Sequence, residues 1–402
     1  MNCKKFIEIV DKCKNEVCIF GAGDYGSTWC YELLKDAGLS VAFYVDNNKS
    51  GEFCNNLPIY PVDCLKEKKV FVFISTRGSA EEEMVKQLEN MGINDYYHFE
   101  SDYAPADFAY YLDNLGDEKL INRFSSVMDD ENYLKIRFKY RMDLELNLEH
   151  PKTFNDKLNW LKIHDRNPLY TTMVDKYEVK EYVRKKIGCE HVVPVYGVWN
   201  SFDEIKFEKL PDEFVLKCTH DSGGMVICKN KSELDIESAR IKLERCLNTN
   251  TFWADREWPY KNVKPRIIAE KYIDSLGKPE SIEYKVTCIN GKVEFVTFCR
   301  GIAHSSFDVR TNDHFDKNFD RMPFYVFYKN SNIEFEKPKQ WNELIKYSEM
   351  LSDGIYYVRV DFYIDKEILY FGEMTFFTWS GCNKFVPEEY DNILGERIKL
   401  PL

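Results

Sequence analysis

The chain has no surplus of positive charge, no long apolar run, no paired-cysteine spacing and no repeats. Its formal net charge is −12 over 402 residues. An extended nucleic-acid surface needs a basic patch, so that partner is excluded, although local basic pockets remain open. No apolar stretch approaches the roughly 20 residues of a membrane span, which excludes membrane insertion. The 13 cysteines include no C-x-x-C pair, and no secretory leader precedes them. They read as reduced core thiols of a cytoplasmic protein, not as a disulfide framework or a zinc site.

What is present is enough material for a large core. Hydrophobic residues make up 44% of the chain, including 28 Phe and 26 Tyr, which points to about two or three globular domains. Residues 1–102 alternate strand and helix patterns. Val17–Phe20 reads as a buried strand, and Gly21, Gly23 and Gly26 form a G-x-G-x-x-G turn ahead of helical spacing at Trp29, Leu33 and Leu34. A second strand, 41–45, ends at Asp46, about twenty residues past the glycines, as a dinucleotide fingerprint requires. Residues 70–74 and 81–91 continue the alternation. The pattern predicts a Rossmann-like parallel-sheet unit of half length. Its glycines serve a tight turn, a phosphate-bearing ligand or a nicotinamide, and no acid and base pair follows them to support the last. The unit resembles the small nucleotide-sugar-type modules fused to polysaccharide-modifying enzymes.

Residues 103–150 lose the strand alternation and read as a helical connector. A helix then starts after a cap at Thr153, with Phe154, Leu158 and Leu161 on one face. Another follows Asp175 and Lys176, with Val179, Tyr182, Val183 and Ile187 inward and Gly188 as its stop.

Three later segments carry the chemistry. Residues 214–224 (FVLKCTHDSGG) bring Lys217 on a strand into a glycine loop. Residues 358–363 (VRVDFY) and 370–375 (YFGEMT) deliver Asp361 and Glu373 from apolar strands. A lysine and backbone N–H groups hold phosphate oxygens, and two carboxylates hold the magnesium that accompanies them. Burying such carboxylates is costly unless a cation compensates.

From Pro151 onward, the segments KTFNDKL at 152–158, DKY at 175–177, LKCTHDSGG at 216–224, AEKYI at 269–273, YK at 284–285, VRVDFY at 358–363 and GEMTF at 372–376 resemble the ATP-grasp enzymes. More closely they resemble the teichuronopeptide-biosynthesis (TupA-like) branch associated with surface polysaccharides. The resemblance spans residues 151–402 and implies two α+β subdomains clamping ATP, with a lid near 190–272. It implies that Lys176, Lys217 and Lys285 face phosphate, under a loop that includes His220, Ser222, Gly223 and Gly224. His220 either positions phosphate or closes the loop by a hydrogen bond. Glu270, Lys271, Tyr272 and Ile273 match the adenine-binding hinge, and Asp361 and Glu373 the metal ligands. Thr375 stands where many relatives place an asparagine ligand.

The activity implied is ATP- and magnesium-dependent joining of a carboxylate to an amine through an acylphosphate. The carboxylate is expected to be a uronic acid or amino acid, free or nucleotide-sugar linked, in capsule or cell-wall glycan assembly. Arg300 and Arg359 are the expected catalytic arginines, although strand alternation is read as turning Arg359 away from Asp361. Between 300 and 321 the sequence reads as an irregular polar stretch holding His304, Asp308, Arg310, His314, Asp316 and Lys317. Arg300 and Arg310 there are candidates for holding an anionic acceptor, and Trp379, Ser380 and Gly381 for lining the acceptor cleft. Rival readings are a phosphotransferase of the same fold and a nucleotide-binding scaffold without turnover.

Overall fold

The computed structural model describes residues 9–10, 13, 16–23, 26–76, 79–98, 129–221, 224–273, 278, 280–301 and 309–401. The chain forms two compact units, Met1–Glu145 and Leu146–Leu402.

The first unit is built on β1 (Val17–Phe20), β2 (Val41–Val45), β3 (Phe53–Cys54), β4 (Leu57–Tyr60), β5 (Phe71–Ile74) and β6 (Tyr96–His98). They pair in the order β3-β4-β2-β1-β5-β6. All neighbours are parallel except β3 with β4. β1 is buried along its whole length, as a central parallel strand covered on both faces should be. The chain leaves β1 for β2 on one side and later places β5 on the other, so the strand order reverses beside β1.

The glycine turn lies at this point. Gly21 has φ +108°, and a Cβ on Gly26 would stand 1.9 Å from the Gly21 carbonyl oxygen. Ser75 Oγ donates to that same oxygen at 2.7 Å. Asp46 accepts from the Ala22 amide at 2.8 Å and, on its other oxygen, from the Asn48 and Lys49 amides at 2.8 and 3.1 Å. Both carboxylate oxygens are therefore engaged by local backbone. The helix Asp130–Met142 packs Tyr133 and Ile136 into the core beneath β1. The rest of the expected connector, 103–128, lies outside the described residues.

The second unit contains an antiparallel sheet of β7 (Val195–Trp199), β8 (Phe214–Cys218), β9 (Met225–Cys228) and β10 (Ile267–Lys271), in the order β7-β10-β8-β9. The helix Ile236–Leu247 covers it with Ala239 and Leu243. A second sheet contains β11 (Ile282–Ile289), β12 (Lys292–Arg300), β13 (Thr311–Phe315), β15 (Tyr357–Asp365) and β16 (Ile368–Thr375), in the order β13-β12-β11-β15-β16. The short strands β14 (Tyr325–Val326) and β17 (Phe385–Val386) pair with each other.

Alternation sorts this five-stranded sheet into two faces. Tyr284, Val286, Cys288, Val358, Val360 and Phe362 are buried on the side of the helix Trp341–Leu351, where Cys288 meets Ser348. Lys285, Thr287, Thr297, Arg359 and Glu373 line a cavity on the opposite face. The expected irregular stretch 300–321 is in part strand β13. Asp313 is fully buried, accepting from Arg321 at 2.9 Å and from the Ser331 amide and hydroxyl. Short polar residues hid this strand because its partners come from a loop beyond it. His304 and Asp308 lie outside the described residues.

Candidate active site

Lys217 projects from β8, which pairs with β10 so that Lys217 stands opposite Ile268. Its ammonium meets Glu270 at 2.8 Å, and the other oxygen of Glu270 meets Lys180 at 2.5 Å. Burial alone would raise the Glu270 carboxyl, but the two ammoniums outweigh it and hold the group at about 2. Lys217 is pushed up despite its burial, first by Glu270 and then by Glu373 and Glu283. The last two belong to the five-stranded sheet, so this lysine lies in the field of both sheets.

Asp175 closes the entry to the helix Val179–Ile187. One of its oxygens accepts from the amides of Tyr177 and Glu178, and the other from Arg266 at 2.7 Å. The neighbouring Lys176 amide donates to the Thr219 carbonyl at 3.0 Å, and its ammonium contacts the Asp221 carbonyl. Lys176 is thus attached to the glycine loop itself. Asp221 also accepts from the Gly224 amide at 2.9 Å. A Cβ on Gly224 would lie 2.7 Å from that carboxylate and from Cys246 Sγ, so a side chain there would have to displace them. Ser222 and Gly223 lie outside the described residues. His220 is buried, with Nε2 at 3.0 Å from the Cys246 and Thr249 carbonyls. It closes the loop against the end of the helix Ile236–Leu247.

At the hinge, the Lys271 amide donates to the Pro194 carbonyl at 2.9 Å. Tyr272 is buried, its hydroxyl without a hydrogen-bond partner among the described residues, and Ile273 packs against Val193, Tyr363 and Tyr370.

The acids are organised by two cations. Lys285 on β11 stands opposite Asp361 on β15 and meets it at 2.9 Å. Arg359 Nε and Nη2 each donate to Asp361 at 2.6 Å, and Nη2 also reaches Glu373 at 3.3 Å and Thr375 Oγ1 at 3.1 Å. The expectation that Arg359 faces away from Asp361 is therefore corrected. Residues two apart on a strand share a face. Asp361 is driven up by burial but held below its ordinary range by Arg359 and Lys285.

Magnesium is usually held by one or two carboxylates together with substrate phosphates. Among the described residues no group of three or more metal-ligating side chains occurs. Asp361 and Glu373 are hard oxygen donors and fit that smaller set in kind and number. Arg359, Glu373, Thr375, Lys285, Arg300 and Arg310 line a single cavity of about 530 Å³. Lys176, Lys217, Glu270 and the hinge lie outside its lining.

Two participants were missed in the sequence. Lys180 lies one turn after Lys176 on the inward face that Val179, Val183 and Ile187 define, and a lysine among inward positions was the available signal. Glu257 lines the cavity from a turn, and no local pattern marks it.

Residues 156–399 match the family described as TupA-like ATPgrasp. No curated protein matches the chain. Among solved structures, a D-alanine–D-alanine ligase from Bacillus anthracis complexed with ATP aligns at 15% identity over 95% of both chains, with a TM-score of 0.34. The D-cycloserine synthetase DcsG aligns at 11% over 96% of this chain and 100% of its own, also at 0.34. The ATP-grasp ligase PsnB with its minimal precursor aligns at 10% over 96% and 98%, at 0.33.

Proposed function

Since the chain belongs to the TupA-like ATP-grasp family and is thereby an ATP-dependent ligase, we propose that it joins a carboxylate to an amine through an acylphosphate. The observation that carries this reading is the meeting of Asp361, Arg359, Glu373 and Lys285 on one face of a sheet whose acids also act on Lys217.

Lys176, Lys217 and Lys285 are compact cations suited to phosphate oxygens. Ser222, Gly223 and Gly224 are the residues expected to offer N–H groups to the same oxygens, and His220 fastens the described part of that loop. Glu270, Lys271, Tyr272 and Ile273 take the adenine end. Asp361 and Glu373 hold magnesium, with Thr375 beside them. When bound there, magnesium supplies positive charge to the phosphate oxygens. Arg359 adds a planar, permanently charged donor where charge spreads during transfer, and such electrostatic positioning is most of what phosphoryl transfer requires.

Arg300 and Arg310, across the cavity, suit an acidic acceptor. A uronic acid or amino acid of a cell-surface glycan, free or nucleotide-linked, fits that charge. Buried thiols such as Cys18, Cys30, Cys218 and Cys288 and the need for ATP suit the cytoplasm. No helix among the described residues is long and apolar enough to cross a membrane. In the first unit, Gly21, Gly23, Gly26 and Asp46 are read as a turn that shapes the sheet's switch point.

The test is mass spectrometry of products from ATP with a panel of uronates, amino acids and amines. An amide plus ADP and phosphate is expected, whereas a stable phosphorylated acceptor would identify a phosphotransferase instead. Asp361→Asn and Glu373→Gln are each expected to abolish ADP release with an unchanged circular dichroism spectrum. Near-normal turnover in either removes the metal assignment.

A further inference from the structure

The cavity has a second wall that the phosphate-facing residues do not use, built from two distant turns. The helix Phe252–Asp255 ends at Arg256, whose φ of 54° is left-handed. Its guanidinium lies 5.3 Å from the ring centroids of both Phe252 and Trp253. This reversal presents the next residue, Glu257, to the cavity. The other turn, Thr378–Gly381, follows β16 and holds Trp379 at φ 51° and Ser380 at φ 53°. Non-glycine residues keep such angles only where their surroundings impose them. Here the fastening is Lys162, almost fully buried, which donates to the Asp255 carbonyl at 2.8 Å and the Ser380 carbonyl at 2.9 Å. Ser380 Oγ in turn donates to Glu257 Oε1 at 2.6 Å.

Three cavity-lining glutamates differ in their partners. Glu283 pairs with Lys285 at 3.2 Å and Glu373 with Arg359 at 3.3 Å. Glu257 accepts a hydrogen bond from the neutral hydroxyl of Ser380. Burial pushes Glu257 up to about 7. Lys162, the Ser380 hydrogen bond and Arg359 pull it down, and Asp255 pushes it up. Tyr260 lines the same cavity, and its phenol is pushed up by burial and then by Glu257 and Glu373. An amine substrate is an ammonium near neutral pH and has no lone pair until a proton leaves. The cations of the sheet repel it, so it needs an anionic acceptor on the facing wall.

We propose that Glu257 is the general base of the amine half-reaction, receiving the substrate ammonium beside Ser380 and taking its proton. The assignment rests on the ligase reading above. One N–H proton passes to the Glu257 carboxylate, and the freed electron pair forms the C–N bond at the acylphosphate carbonyl carbon. The C–O bond to phosphate breaks, and the departing phosphate carries off the second N–H proton.

Hydroxylamine is neutral near pH 7 and methylamine is not, which separates the roles. D-glucuronate and D-galacturonate serve as carboxylate probes with ATP. Wild type is expected to form both hydroxamate and methylamide. Glu257→Gln, which preserves shape, is expected to keep hydroxamate formation and lose about 100-fold or more in methylamide formation, the usual worth of a general base. Its methylamide rate should also lose the rise with pH through about 7. Equal loss or equal retention of both products overturns the base assignment alone. Absence of ADP, hydroxamate and amide from wild type overturns the ligase reading and this assignment with it. Should Glu257→Gln not fold, Ser380→Ala serves: losing the hydrogen bond moves the methylamide limb to higher pH, and an unmoved limb overturns the proposal.

Discussion

A carboxylate buried between two ammoniums is worth most when both partners stay. Glu270 is 4% exposed and Lys180 5%, so removing the acid strands a charge away from water, at a loss on the order of 3–5 kcal/mol. Glu270→Gln is expected to lower the denaturant midpoint accordingly, and an unchanged midpoint would show that Lys180 finds another partner. The pH dependence has a fixed sign. Glu270 is held at about 2, below its ordinary 4.5, so its ionised form stabilises the fold. That contribution is complete above the ordinary value and is lost as pH falls toward about 2. Wild type should therefore lose stability through this acid window more steeply than Glu270→Gln, as urea unfolding at a series of pH values would read. Lys217, Asp361 and Glu373 were legible in the sequence because each breaks an apolar run. Glu257 was not, because no local pattern surrounds it, and Lys180 was passed over although a lysine among the inward positions of its helix marks it.

Among elements, the glycine turn of the first unit shows a motif whose geometry is set by packing. The Cβ absent from Gly26 would lie 1.9 Å from a backbone oxygen and 2.5 Å from Ser75 Oγ, and a backbone atom cannot step aside as a side-chain tip can. Gly26→Ala is expected to destabilise that unit by roughly 1–3 kcal/mol, as overpacking does. Nucleotide-dependent chemistry in Leu146–Leu402 should be untouched. Scanning calorimetry together with ADP release checks both, and a loss of ADP release would tie the turn to the reaction. The helix Phe154–His164 teaches the complementary lesson. Thr153 and Asp156 form the capping box that starts it, and the apolar face at Phe154, Leu158 and Leu161 was readable by period. Its inward polar row was not. Asn155 and Asn159 bond to Asn383 and Gly381, and Lys162 to Ser380, more than two hundred residues away. β13 was missed for the same reason, its polar side chains being satisfied by residues beyond the strand.

At the scale of the whole molecule, every residue assigned to ATP lies within Leu146–Leu402. That segment expressed alone is expected to bind ATP in a calorimetric titration as the full chain does, and loss of binding would assign part of the site to the first unit. The sequence by itself determined that two α/β-type units follow one another, that the second carries an ATP-grasp order of motifs, and which strands hold Lys217, Asp361 and Glu373. These are local matters of period, composition and motif order. Only the tertiary structure decided that Arg359 bridges both acids, that His220 fastens a loop, that Lys180 completes the Glu270 pair and that Glu257 faces the cavity. Each of those depends on which side chains meet across long separations, and the energy that selects them, burial offset by pairing, does not exist until the chain has closed.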